Sequence, residues 1–116
     1  MTDQGEHEIS YALYPHSSDF KDAKTVNKAY EFNYPLIPII EPRHNGELPK
    51  KHSFISIQPE NVILTTIKKA EDSDDLILRF YEASGKDTEA TIQMDETLKD
   101  VVETDLLEEE ISKIPF

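Results

Sequence analysis

The stretch "NVILTTIKKAEDSDDLILRFYEA", residues 61 to 83, constrains the fold more than any other, because two aliphatic runs flank a polar link of five residues. Runs of that length, bounded by Asp and Ser, read as strands, and so short a link makes them pair antiparallel as a hairpin. In the first run Val62 and Leu64 fall on one face and Ile63 and Ile67 on the other. Both faces are thus partly apolar, as in a central strand covered on both sides. In the second run Leu76, Leu78 and Phe80 point one way and Ile77, Arg79 and Tyr81 the other, which suits a layer with one face in a core.

Further strand-like runs surround this hairpin: "SFISI" before it, "TEATIQM" after the link "SGKD", and "KDVVETD". The link "SGKD" is short and turn-rich, as in a second hairpin. Upstream, His7 to Tyr14 alternate with period two, setting Ile9, Tyr11 and Leu13 against Glu8, Ser10, Ala12 and Tyr14, and Pro15 stops the run. Ser18 and Asp19 are helix-capping residues, and Phe20, Ala23, Val26 or Asn27, and Tyr30 recur at helical spacing. This predicts one short α-helix near residues 19–31, ended ahead of Pro35. "PLIPIIEP" carries three prolines in eight residues, which confines it to an edge strand or extended segment. "RHNGELPKKH" reads as a flexible polar loop around Asn45 and Gly46. The expected fold is mainly β: an antiparallel β-sandwich, or part of one, with a single short helix, in one domain spanning 1–116. A domain of 116 residues can bury about two thirds of its unfolded surface around a real core.

Charge narrows the partners. A net charge of −12 repels phosphate backbones and anionic lipid surfaces, so neither nucleic acid nor a membrane is expected to bind. No apolar run reaches the roughly eighteen residues of a membrane span. The chain has no cysteine, hence no disulfide framework and no thiolate metal site. Its acidic, polar start "MTDQGEHE" is unlike a signal peptide, which makes a cytoplasmic location the simplest expectation.

Three stretches raise the question of chemistry. "GEHEISYALYPHSSDF" holds two histidines, yet in an extended chain His7 and His16 lie about 30 Å apart with opposite parity, and zinc needs three or four convergent ligands. His16 and Asp19 are better read as a strand-to-helix corner. "EDSDD" lacks the glycine and distant glutamate of a calcium loop and fits a solvated hairpin turn. "ETDLLEEEISKIPF" is acidic, but exposed carboxylates have no buried pocket to raise a pKa for glycoside chemistry, so a solvated edge is expected. Tyr30 beside Lys28, and Phe80 and Tyr81 beside Arg79, sit at helical or strand spacing and are read as core and flank rather than a binding platform. Phosphate-cradling and nucleophile-elbow motifs are missing.

Taken together, "GEHEISYALYPHSSDF", "AYEFNYPL", "NVILTTIKKAEDSDDLILRFYEASGKDTEATIQM" and "ETDLLEEEI" resemble, in order and over nearly the whole chain, the C-terminal end of the family 38 glycoside hydrolases, the α-mannosidases. The resemblance implies a C-terminal accessory β-sandwich domain of a zinc-dependent, retaining enzyme that hydrolyses α-mannosides. It also implies that the catalytic domain, which holds the zinc ion, lies upstream, so that a chain beginning at "MTDQ" is a piece of a longer protein. On this reading the chain carries no catalytic, cofactor or metal residue and is inactive alone. Its implied partners are the parent's catalytic domain and α-mannosides, the latter where a loop such as "RHNGELPKKH" lines the outer part of the sugar site. Surface left bare by the missing domain is expected at Tyr14, Tyr34, Leu36, Ile37 and Ile39, as an interdomain or self-association patch. The alternative is an independent β-sandwich module that binds a carbohydrate or a protein.

Overall fold

The computed structural model describes residues 4–116 and divides the chain into two units, Met1–Ile40 and Glu41–Phe116. The second unit strings together six short strands: β1 (Ile55–Gln58), β2 (Val62–Lys69), β3 (Leu76–Glu82), β4 (Thr91–Met94), β5 (Val102–Thr104) and β6 (Glu110–Lys113). They form three antiparallel two-stranded ladders, β1 with β4, β2 with β3, and β5 with β6. The architecture is mainly β and antiparallel with one short helix, consistent with a sandwich domain.

The β2–β3 hairpin closes where the sequence places it. The Ala70 amide donates to the Asp75 carbonyl at 2.9 Å, and the Ser73 hydroxyl donates to the Asp75 carboxylate at 2.6 Å, so "EDSDD" is a turn. Two expectations for this hairpin need correction. First, β2 has β3 as its sole ladder partner among the described residues and is not a central strand. Second, the register shifts between Leu64, opposite Phe80, and Thr66, opposite Arg79, leaving Thr65 as a bulge whose hydroxyl donates to the Arg79 carbonyl at 3.0 Å. A bulge of one residue reverses the parity beyond it. Ile67 therefore sits opposite Leu78, on the face of Val62 and Leu64 rather than that of Ile63.

The link "SGKD" does not close a second hairpin: β4 pairs with β1, with Ile57 opposite Ile92. The chain turns away after β3 because Glu82 gathers the amides of Ser84 and Lys86 onto its carboxylate and Gly85 adopts a left-handed φ of 69°. The strand β6 lies in a stretch expected to be a solvated edge, and the turn ahead of it is built on Asp105, whose carboxylate accepts the amides of Leu107 and Glu109.

In the first unit the expected helix begins late, as α1 (Thr25–Asn33). Asp19 does cap, but it caps a separate turn: its carboxylate accepts the Lys21 and Asp22 amides at 2.8 and 2.9 Å. Lys24 then ends that turn in the left-handed region at φ 53°, with Lys24 N–H bonded to the Lys21 carbonyl and Thr25 N–H to the Phe20 carbonyl. That pair of bonds is a Schellman closure. The helical spacing read from Phe20 to Tyr30 thus spans two pieces. Residues 7–14, expected as a strand, belong to no ladder, and 35–40 run without regular structure.

Of the core that the length permits, the buried hydrophobic residues among those described are Val62 and Ile63, neighbours on β2. The ladders are two strands wide, too few to cover both of their faces.

Candidate functional site

Of the residues that raised metal or acid–base chemistry, His16, Asp19, Asp75, Asp105 and Glu108 are committed to structural bonds. The His16 ring donates from Nδ1 to the Ser18 carbonyl at 2.6 Å and leans on the Tyr14 ring, 5.7 Å between centroids, while the Tyr14 hydroxyl donates to the Ala23 carbonyl at 3.1 Å. With the Asp19 turn, these bonds make the corner expected at this place. Among the described residues no three His, Asp or Glu side chains gather as a metal cluster. Tyr30 stacks on Tyr34 at 5.9 Å along one side of α1, and Lys28 pairs with Glu31 at 2.7 Å, so neither forms a platform with the other.

Two clusters of polar side chains tie the second unit together, and sequence reasoning missed both. At the open end of the β2–β3 hairpin, Asn61 donates from Nδ2 to Glu82 at 2.7 Å and to the Thr88 hydroxyl at 2.9 Å, while the Ala83 amide bonds the Asn61 carbonyl at 2.8 Å. The Asn61 amide is the largest influence on the Glu82 carboxyl, partial burial opposes it, and the amides of Lys86, Ser84 and Gly85 add to it. Together they pull Glu82 from an ordinary 4.5 to about 2. The second cluster centres on Glu108, whose side chain is 10% exposed. It meets Lys68 at 2.8 Å and Arg79 at 3.5 Å, accepts the Glu71 amide at 2.9 Å, and holds its own backbone left-handed at φ 70°. Lys68 above all holds the Glu108 carboxyl below its ordinary range, and Glu108, with Glu71, raises the Lys68 ammonium. Asn61 and Glu82 flank one hairpin, so register alone could have brought them together. Glu71 and Glu108 lie 37 residues apart, and no local signal joins them.

The exposed apolar residues are the other feature. Tyr14 is 45% exposed, Tyr34 74%, Leu36 97%, Ile37 86% and Ile39 78%. All five belong to the first unit, four of them in or beside the proline-rich run. In the second unit Leu106 and Leu107 stand exposed on the turn that Asp105 and Glu108 build. Both units therefore present exposed apolar side chains.

The family model of the glycosyl hydrolases family 38 C-terminal beta sandwich domain matches residues 61–116, which hold both polar clusters. The chain belongs to this family. Similar proteins extend the likeness upstream: alpha-mannosidase 2C1 of Homo sapiens is 35% identical over 109 residues, 91% of this chain and 10% of that protein. An alpha-mannosidase of Saccharomyces cerevisiae is 33% identical over 131 residues, 96% of this chain and 11% of its own length. A putative mannosylglycerate hydrolase of Halalkalibacterium halodurans is 26% identical over 110 residues. The chain thus spans about a tenth of the length of the curated relatives it matches. No solved structure matches the chain significantly. Asn61, Lys68, Glu71, Arg79, Glu82, Asp105 and Glu108, which bond the hairpins to their turns, all lie within the matched residues.

Proposed function

We propose that this chain is the accessory C-terminal β region of an α-mannosidase, and that it works by covering part of the enzyme's catalytic domain. The carrying observation is the combination of family 38 membership with apolar side chains that the chain leaves bare, Leu36 at 97% exposure foremost. On this reading the hydrolysis of α-mannosides, its retaining course and its zinc ion belong to the upstream catalytic domain. The chain's own part is to dock Tyr14, Tyr34, Leu36, Ile37 and Ile39 against that domain. Interfaces between domains of one chain cover on the order of 600–1,500 Å², an area these side chains can supply.

The test is an assay of α-mannoside release by three proteins: the full-length polypeptide, the same polypeptide lacking these residues, and this chain alone. Activity in the first alone is the expected result. Full activity without the chain's residues, together with binding of mannose oligosaccharides to the isolated chain, overturns it in favour of an independent carbohydrate-binding module.

A further inference from the structure

The segment Glu8–Tyr14 carries the clearest unfulfilled pattern in the molecule. Its alternation suits an antiparallel strand with one buried face, yet among the described residues these seven make no backbone hydrogen bond. The apolar face is bare: Ile9 is 82% exposed, Tyr11 86% and Leu13 91%. An isolated strand cannot satisfy its own backbone groups, so a sequence with this periodicity reaches its stable form when a neighbouring strand supplies the ladder. The end of the segment is already anchored, since Tyr14 bonds to Ala23 and His16 to Ser18, and Pro15 offers no amide with which to prolong a ladder.

We infer that Glu8–Tyr14 is a donated β-strand, which joins the open edge of an antiparallel sheet in the upstream polypeptide and lays Ile9, Tyr11 and Leu13 on that sheet's apolar layer. The inference rests on the reading of the chain as part of a longer enzyme. Two observations choose this occupant. A second copy is disfavoured because each copy carries a net charge of −12. The relatives that match the chain are about ten times its length, which leaves ample polypeptide to provide the edge. Main-chain bonds would supply the affinity and the alternate apolar side chains the register, as in strand addition generally.

Residue-resolved amide exchange on the full-length polypeptide, compared with this chain alone, tests the inference. Alternate amides between Glu8 and Tyr14 should exchange on the order of a hundredfold more slowly in the full-length protein. Leu13→Asp should abolish that protection and Glu8→Gln, on the polar face, should leave it. Equal exchange in the two proteins, with α-mannoside hydrolysis intact, overturns the strand and leaves the proposed function standing. Protection that appears in the isolated chain as its concentration rises would assign the edge to a second copy and overturn it as well. Protection in a full-length protein that hydrolyses no α-mannoside supports the strand while removing the enzymatic reading. Because the first comparison uses no substitution, it decides the matter even where Leu13→Asp fails to fold.

Discussion

The unit Met1–Ile40 holds its form through bonds between near neighbours, whereas Glu41–Phe116 is tied by side chains that come from far apart. In the first, the Asp19 turn, the Lys24 closure and α1 each close within a few residues, and the apolar residues that follow α1 reach outward. In the second, Asn61 reaches Glu82 and Thr88, and Glu108 reaches Glu71, Lys68 and Arg79. The difference teaches where each unit's stability resides. Local turns persist without a core, and polar bonds can register hairpins, but neither substitutes for the apolar layer that both units lack on their own.

The largest effect should come from the buried apolar pair Val62 and Ile63. Ile63→Ala should destabilise the second unit by about 2 to 4 kcal/mol in urea unfolding, while Ile37→Ala, at an 86% exposed position, should stay within about 0.5 kcal/mol. Equal effects would break the contrast between a unit with a seed of core and one without. Next in size is the acid response of Glu82. Its carboxyl titrates lower in the folded chain, at about 2, than the ordinary 4.5 of an unfolded one. The unfolded state therefore binds the proton first, so the stabilisation is complete above about 4.5 and is lost as pH falls toward 2. Glu82→Gln should lower the unfolding midpoint at neutral pH and flatten its decline through that window. Parallel acid limbs in the two proteins would show that the Asn61 network contributes nothing to registering the hairpin.

The hairpin of β2 and β3 was legible because its signal is local: two runs, a polar link and a short loop. The bulge at Thr65 was not, since an extra residue in one strand leaves the composition of the run unchanged and shows only in the pairing, where it moves Ile67 to the other face. The partner of β4 was misread for a related reason. A turn-rich link implies a hairpin only when nothing else holds the chain, and here Glu82 turns it toward β1. The period-two pattern of His7–Tyr14 was read as a strand, but periodicity reports what a segment suits and cannot supply its neighbour. Among the candidate site residues, His16 and Asp19 were placed correctly at a corner, since their bonds reach only two or three positions along the chain. The Glu108 cluster joins elements far apart in sequence and lay beyond local reading.

The smallest predicted effect probes the local unit from inside, at Lys24. Its φ of 53° and ψ of 39° place a side-chain-bearing residue in the left-handed region, where the β-carbon crowds the following carbonyl. Schellman closures take glycine at this position because it escapes that crowding. The position falls between the Asp19 turn and α1, so relief there should benefit both. Lys24→Gly should accordingly stabilise the first unit by up to about 1 kcal/mol, the gain in the folded state being partly offset by the greater freedom of an unfolded glycine. The readout is helical circular dichroism during thermal melting of the isolated chain. A higher midpoint would show that the late start of α1 is a built feature of this unit, with the turn and helix designed as two pieces. A lower midpoint would mean that the chain prefers one continuous helix from Asp19, in which lysine serves better than glycine, and the contrast between a locally closed unit and a distantly tied one would lose its first half.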